Sequence, residues 1–194
     1  MAANLKDLPR PHYTIEEYFA LEQVSESRYE YWDGEIVCMS GSTEHHYTIS
    51  DNLHVQLSNL LRGRNCRAHS ASVPVHTPAL PPYRYPDASV SWGKSVFTKI
   101  NNIAALVNPI LVIEVLSPGT ELLDRNQKKA AYQSLPFLQE YLLIAQDEPH
   151  VTQFVREGDI WRRKDFSDLL SAIELPSINC SIALSDMYDG ITFD

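Results

Sequence analysis

The stretch Ile110-Leu111-Val112-Ile113-Glu114-Val115-Leu116 constrains this chain more than any other. Six of its seven residues are Ile, Leu or Val. Runs of this kind read as strands buried on both faces. The seventh, Glu114, brings a carboxylate into that setting, which is costly unless the group is paired, protonated or bound to a metal. A second acid, Asp87, follows Tyr85-Pro86 at the mouth of another predicted strand.

The whole chain sets the frame for these two acids. Its 194 residues, 44% hydrophobic and 21% charged, suit one globular domain of ordinary size rather than a disordered chain. No apolar run approaches the ~20 residues of a membrane span, and no apolar segment follows Met1–Asp7, so neither membrane insertion nor a signal peptide is expected. Cys38, Cys66 and Cys180 are odd in number and far apart. They suggest no disulfide framework or zinc site, and point to a reduced, cytoplasmic setting. The net charge is −9, and residues 1–61 hold ten acidic against three basic side chains. A strong basic field for non-specific nucleic-acid binding is absent overall. Local basic groups occur at Arg62, Arg64 and Arg67, at Arg125, Lys128 and Lys129, and at Arg162, Arg163 and Lys164, and are read as solvated faces.

Thr14 and Glu17 form a capping box for a helix over about 14–23. Arg28–Trp32 and Glu35–Met39 flank Asp33-Gly34, the signature of a hairpin with a type I′ turn. Leucine and isoleucine at helical spacing predict the longest helix from Glu44 to about Leu61, ended by Gly63. Strands are expected over 66–77, with a break at Pro74, and over 85–92 and 110–116. Between the last two, 93–109 reads as an irregular connection with a short helix near 103–107. A helix over about 121–134 follows, then a strand at 140–145, a hairpin at 151–164, a strand near 172–175 and a helical turn near 184–188. The order predicts an α+β domain with a central mixed sheet covered by helices. It is expected to span 12–190, between an extension at 1–11 and a tail at 191–194.

If the strands bearing Asp87 and Glu114 are neighbours, the two carboxylates converge and suit a hard divalent cation, with the Val115 carbonyl completing the protein's donors. Thr120, Asp124, Lys128 and Tyr132 are spaced by four, so they share a face of the following helix. That helix returns over the strand's end, where Lys128 would hold a phosphate or orient water. The competing readings are a turn role for Asp87, a paired Glu114 and a surface Asp124–Lys128 pair.

Tyr29-Glu30 with Asp33-Gly34-Glu35, Gly41–His46, Tyr85-Pro86-Asp87, Ile113–Pro118, Asp124 with Lys128 and Tyr132, and Glu140-Tyr141 together resemble the Uma-type (Uma-two) restriction endonucleases of the PD-(D/E)XK nuclease superfamily. The resemblance covers about residues 12–190 and implies a restriction-endonuclease-like core. It implies Asp87 and Glu114 as metal ligands and Lys128 as catalytic lysine, because the superfamily's usual lysine position is occupied here by Leu116. Glu30 is a further candidate as metal ligand or water-orienting group. His46, in the first turn of the long helix, is an accessory candidate. Tyr132 is read as a core residue with its hydroxyl near the site. The expected activity is Mg²⁺- or Mn²⁺-dependent hydrolysis of DNA phosphodiester bonds by a homodimer or higher homo-oligomer. The alternative is a non-catalytic nucleic-acid-binding or assembly module that keeps the fold.

Overall fold

The computed structural model describes residues 11–39 and 42–193. Ser40-Gly41, residues 1–10 of the expected extension and Asp194 of the expected tail lie outside the described residues. The chain divides into two compact units between residues 41 and 42.

The first unit holds helix α1 (Ile15–Val24) and strands β1 (Tyr29–Trp32) and β2 (Glu35–Cys38). Both halves of the Thr14–Glu17 capping box are formed. The β1–β2 turn has positive φ at Asp33 (44°) and Gly34 (90°), the type I′ pattern expected from Asp-Gly. A side chain at residue 34 would also collide with His12, since a Cβ there would lie 2.3 Å from the ring Nε2. The buried Tyr18 hydroxyl donates to the Tyr29 carbonyl at 3.0 Å, which ties the helix to the hairpin.

The second unit is built on a six-stranded mixed sheet in the order β12-β11-β10-β9-β6-β3. Its strands are β3 (Cys66–Ser70), β6 (Ala88–Trp92), β9 (Pro109–Val115), β10 (Glu140–Ile144), β11 (Val151–Glu157) and β12 (Ile160–Phe166). Only the β9–β10 pair is parallel. Alternation along β9 separates two cores. Leu111, Ile113 and Val115 pack with Ile49, Leu53 and Leu57 of helix α2 (Glu44–Leu60). Val112 and Leu116 pack with Tyr132, Leu135, Leu138 and Tyr141 on the other face. Glu114 lies between Val112 and Leu116 in this alternation and therefore faces the second core.

One local expectation is corrected: residues 103–107 are not helical. Ile103–Leu106 is strand β8, paired with β7 (Phe97–Ile100) in a second, four-stranded sheet completed by β4 (Val75–His76) and β5 (Tyr83–Arg84). Asn101 and Asn102 take positive φ and close that hairpin, so the overlooked signal was Asn-Asn at a two-residue turn. The break expected at Pro74 is present, and 66–77 holds two strands, β3 and β4, on either side of it. The strand expected near 172–175 is present as β13 (Ala172–Leu175) and the helical turn expected near 184–188 as the short helix α5 (Leu184–Met187); the unanticipated element between them is β14 (Cys180–Ala183), which pairs with β13.

Glu140 anchors this hairpin to the sheet. Fully buried, it accepts hydrogen bonds from Gln153 Nε2 and Ser177 Oγ, both at 2.6 Å. Burial holds its carboxyl above the ordinary value of 4.5, against the opposing pull of Ser177 and Gln153. A carboxyl raised by folding contributes stability that is complete below its unfolded pKa and is lost as pH rises through the folded value. The non-ionising Glu140→Gln variant is therefore expected to gain stability relative to the parent as pH rises from below 4.5 toward neutral, as urea unfolding across that range would record.

Candidate active site

The helical segment after β9 supplies the partners of Glu114. It is helical over 121–133, as expected for about 121–134, but not regular throughout. Helix α3 (Glu121–Leu123) passes into a π-helical turn (Asp124–Lys128) and then helix α4 (Lys129–Gln133). In a regular α-helix, residues four apart drift about 40° per step. The wider π turn winds less per residue and offsets that drift. Asp124, Lys128 and Tyr132 thus all turn inward and are all buried.

The Lys128 ammonium is 3.3 Å from both Glu114 oxygens and 3.0 Å from Asp124 Oδ1. Glu114, Asp124 and Lys128 are each at most 2% exposed. The Asp124–Lys128 pair is therefore interior, not the surface pair considered from spacing. Tyr132 donates its hydroxyl proton to Glu114 Oε1 at 3.1 Å. Thr120 Oγ1 donates to Asp124 Oδ2 at 2.8 Å, and the Tyr141 hydroxyl donates to the Asp124 carbonyl at 3.1 Å. Asp124 is the residue whose place the spacing argument undervalued. The four-residue repeat from Thr120 to Tyr132 marked the face, but its burial depends on the π turn.

Asp87 comes from the neighbouring strand. β6 and β9 are antiparallel with Ala88 opposite Ile113, so Asp87 is the next residue toward Glu114 in that register. Its Oδ2 accepts the Val115 amide proton at 2.7 Å. This hydrogen bond uses the amide of Val115 and leaves its carbonyl, the expected cation donor, out of the contact with Asp87. Asp87 Oδ1 lies 3.4 Å from His46 Nε2, which descends from the first turn of α2. The Nδ1 atom of His46 is buried and has no hydrogen-bond partner among the described residues. Burial alone would lower the His46 pKa. The hydrogen bond and charge of Asp87, joined by the charge of Asp124, outweigh it and hold the imidazole above its ordinary value. Glu30 belongs to the first unit, buried on β1 opposite Val37.

Among the described residues, no three His, Cys, Asp or Glu side chains are grouped so as to hold a metal ion. The donor chemistry nevertheless suits a hard cation. Asp87 and Glu114 offer oxygen only, and Asp87, Glu114 and Asp124 bring three carboxylates against one ammonium. A cation here would take two protein carboxylates and keep several waters, the usual coordination of Mg²⁺.

A mixed sheet flanked by helices, with two acids on adjacent strands and a lysine on the helix behind them, is the architecture of a restriction-endonuclease-like nuclease fold. The family model described as "Uma2: Putative restriction endonuclease" matches residues 15–185, and the chain belongs to that family. A relative from Synechocystis sp., "Uncharacterized protein slr1290", is 30% identical over 200 residues and spans the whole of both chains. Another from the same organism, "Uncharacterized protein sll1609", is 32% identical over 146 residues, covering 75% of this chain and 82% of its own. The crystal structure of "a putative nuclease belonging to DUF820" from Anabaena variabilis superposes with a TM-score of 0.67 at 20% identity, covering 84% of this chain and 91% of that one. At that identity the superposition speaks for the fold.

Proposed function

We propose that this chain is a metal-dependent DNA endonuclease that hydrolyses phosphodiester bonds at Asp87, Glu114 and Lys128, within a functional domain over residues 12–190. One observation carries the reading. The Asp87 carboxylate is fastened to the amide that follows Glu114, at 2.7 Å, while the Lys128 ammonium lies 3.3 Å from Glu114. Acid, acid and lysine thus meet at the junction of two strands and one helix.

Asp87 and Glu114, with the Val115 carbonyl, would hold Mg²⁺ or Mn²⁺, which supplies Lewis acidity and neutralises charge at the phosphate. Lys128 stabilises charge that develops on the scissile phosphate or positions the attacking water. Tyr132 fixes the orientation of Glu114, and Asp124 fixes that of Lys128. His46 holds the outer oxygen of Asp87. The working form in this reading is a homodimer or higher homo-oligomer in the cytoplasm. No helix among the described residues is long and apolar enough to cross a membrane.

A second reading, a non-catalytic nucleic-acid-binding or assembly module, is favoured by one feature: the Lys128 ammonium is already shared by two buried carboxylates. Titration calorimetry separates the two. Mg²⁺ or Mn²⁺ binding that disappears in Glu114→Gln supports the enzyme, whereas a parent chain with no divalent-cation binding supports the module.

A further inference from the structure

At the open end of the β11–β12 hairpin the antiparallel register pairs Thr152 with Asp165 and Val151 with Phe166. One step further along that register, His150 stands across from Ser167. The two-residue period puts His150, Thr152, Asp165 and Ser167 on one face of the sheet. His150 Nδ1 is 3.1 Å from Ser167 Oγ, and His150 Nε2 is 3.3 Å from both Asp165 Oδ1 and Thr152 Oγ1. Thr152 donates its hydroxyl proton to Asp165 Oδ1 at 2.8 Å. The Arg163 guanidinium donates to both Asp165 oxygens, at 2.8 and 2.9 Å. The backbone of His150 is fixed as well. Its amide donates to the hydroxyl of the buried Tyr188 at 3.1 Å, and its carbonyl accepts the Ala145 amide proton at 2.9 Å.

Hydroxyl, imidazole and carboxylate are thus in the order that activates a serine. Arg163, with Thr152 and His150, holds the Asp165 carboxyl below its ordinary value of 3.8, against the effect of burial. An anionic oxygen at Nε2 keeps the ring proton on that nitrogen and leaves the Nδ1 lone pair toward Ser167. Among the described residues no other histidine is set between a hydroxyl and a carboxylate on opposite ring nitrogens. His69 meets Ser91 and Ser95 through a single nitrogen, His46 meets Asp87, and His45 meets the Gln146 carbonyl.

The cluster is open to solvent, with the His150 and Asp165 side chains 25% and 38% exposed. Leu169 and Leu170, just after Ser167, are exposed and give it an apolar border. It is also remote from the acids of β6 and β9. In register, Asp165 lies three strands from Glu114, by way of Leu143 and Thr152, or about 14 Å.

We propose that Ser167, His150 and Asp165 form a second hydrolytic site, which cleaves small activated carboxylic esters. His150 Nδ1 takes the Ser167 hydroxyl proton as Oγ bonds to the ester carbonyl carbon. The bond from that carbon to the leaving oxygen breaks, and the departing alcohol takes the proton from the imidazolium. Water then adds to the acyl carbon and gives a proton to His150. The acyl–Oγ bond breaks, Oγ recovers that proton, and the carboxylic acid leaves. Asp165 is a positioning residue that fixes the imidazole tautomer.

The test is release of p-nitrophenol from p-nitrophenyl acetate by the full chain in EDTA. Ser167→Ala is expected to be at least about tenfold slower than the parent, since a positioned general base and its nucleophile contribute ~10²–10⁴-fold. The side chain is exposed, and melting at the parent temperature shows that the variant is folded. Asp165→Asn should lower kcat with KM unchanged. Phenylmethylsulfonyl fluoride should stop release by the parent and label Ser167, as peptide mass spectrometry would record. His54→Ala, an exposed histidine elsewhere, and Asp87→Asn should both keep the parent rate, which separates this site from the nuclease reading. A parent chain no faster than Ser167→Ala, an equal loss in His54→Ala or Asp87→Asn, or sulfonylation at residues other than Ser167 would each overturn the proposal. An unchanged kcat in Asp165→Asn would overturn the role given to Asp165.

Discussion

Lys128→Met is expected to unfold more easily than the parent by about 3–5 kcal/mol, the cost of removing one partner from a buried ion pair. The substitution leaves Glu114 and Asp124, each at most 2% exposed, without their shared ammonium. For a chain of this size the loss corresponds to a fall in melting temperature of about 6–20 °C. Cleavage of DNA should fall by about 10²–10³-fold, the effect of removing one group that stabilises transition-state charge. Adding Asp124→Asn to Lys128→Met removes one of the stranded charges and should recover part of the stability but none of the activity. Urea unfolding with a loss under about 1 kcal/mol would show that the three groups are not held together as described.

The second large effect separates chemistry from folding at Asp87. Asp87→Asn keeps an oxygen for the Val115 amide, so its stability should lie within about 1 kcal/mol of the parent. It removes the anionic oxygens assigned to the cation, so metal-dependent cleavage should be abolished. Asp87→Ala should also lose cleavage, but it strands the Val115 amide and should cost about 1–3 kcal/mol. Equal destabilisation by both variants would mean that the hydrogen bond contributes little.

The legible parts of this protein are those where local chemistry and tertiary packing agree. Thr14 and Glu17 cap α1, Asp33-Gly34 turns the first hairpin, and the leucine spacing of α2 places Ile49, Leu53 and Leu57 in the core. Glu114 stood out because one acid among aliphatic residues is costly, and its burial beside Lys128 and Tyr132 accounts for how that cost is met. The four-stranded sheet was hidden because β4 and β5 are two residues each and gain their pairing only through β8 and each other. The π turn was hidden because spacing by four looks the same in a regular helix, and only packing against Glu114 and Tyr141 selects the wider turn. Asp124 was undervalued for the same reason: an Asp and a Lys four apart usually face water.

The most direct measurement is cleavage of plasmid and linear duplex DNA by the purified parent chain with Mg²⁺ or Mn²⁺, in parallel with EDTA and with the folded Asp87→Asn variant. Cleavage that requires the cation and vanishes in Asp87→Asn is the predicted result. A folded parent chain that cleaves no form of DNA with either cation, or an Asp87→Asn variant that cleaves as the parent does, would contradict it.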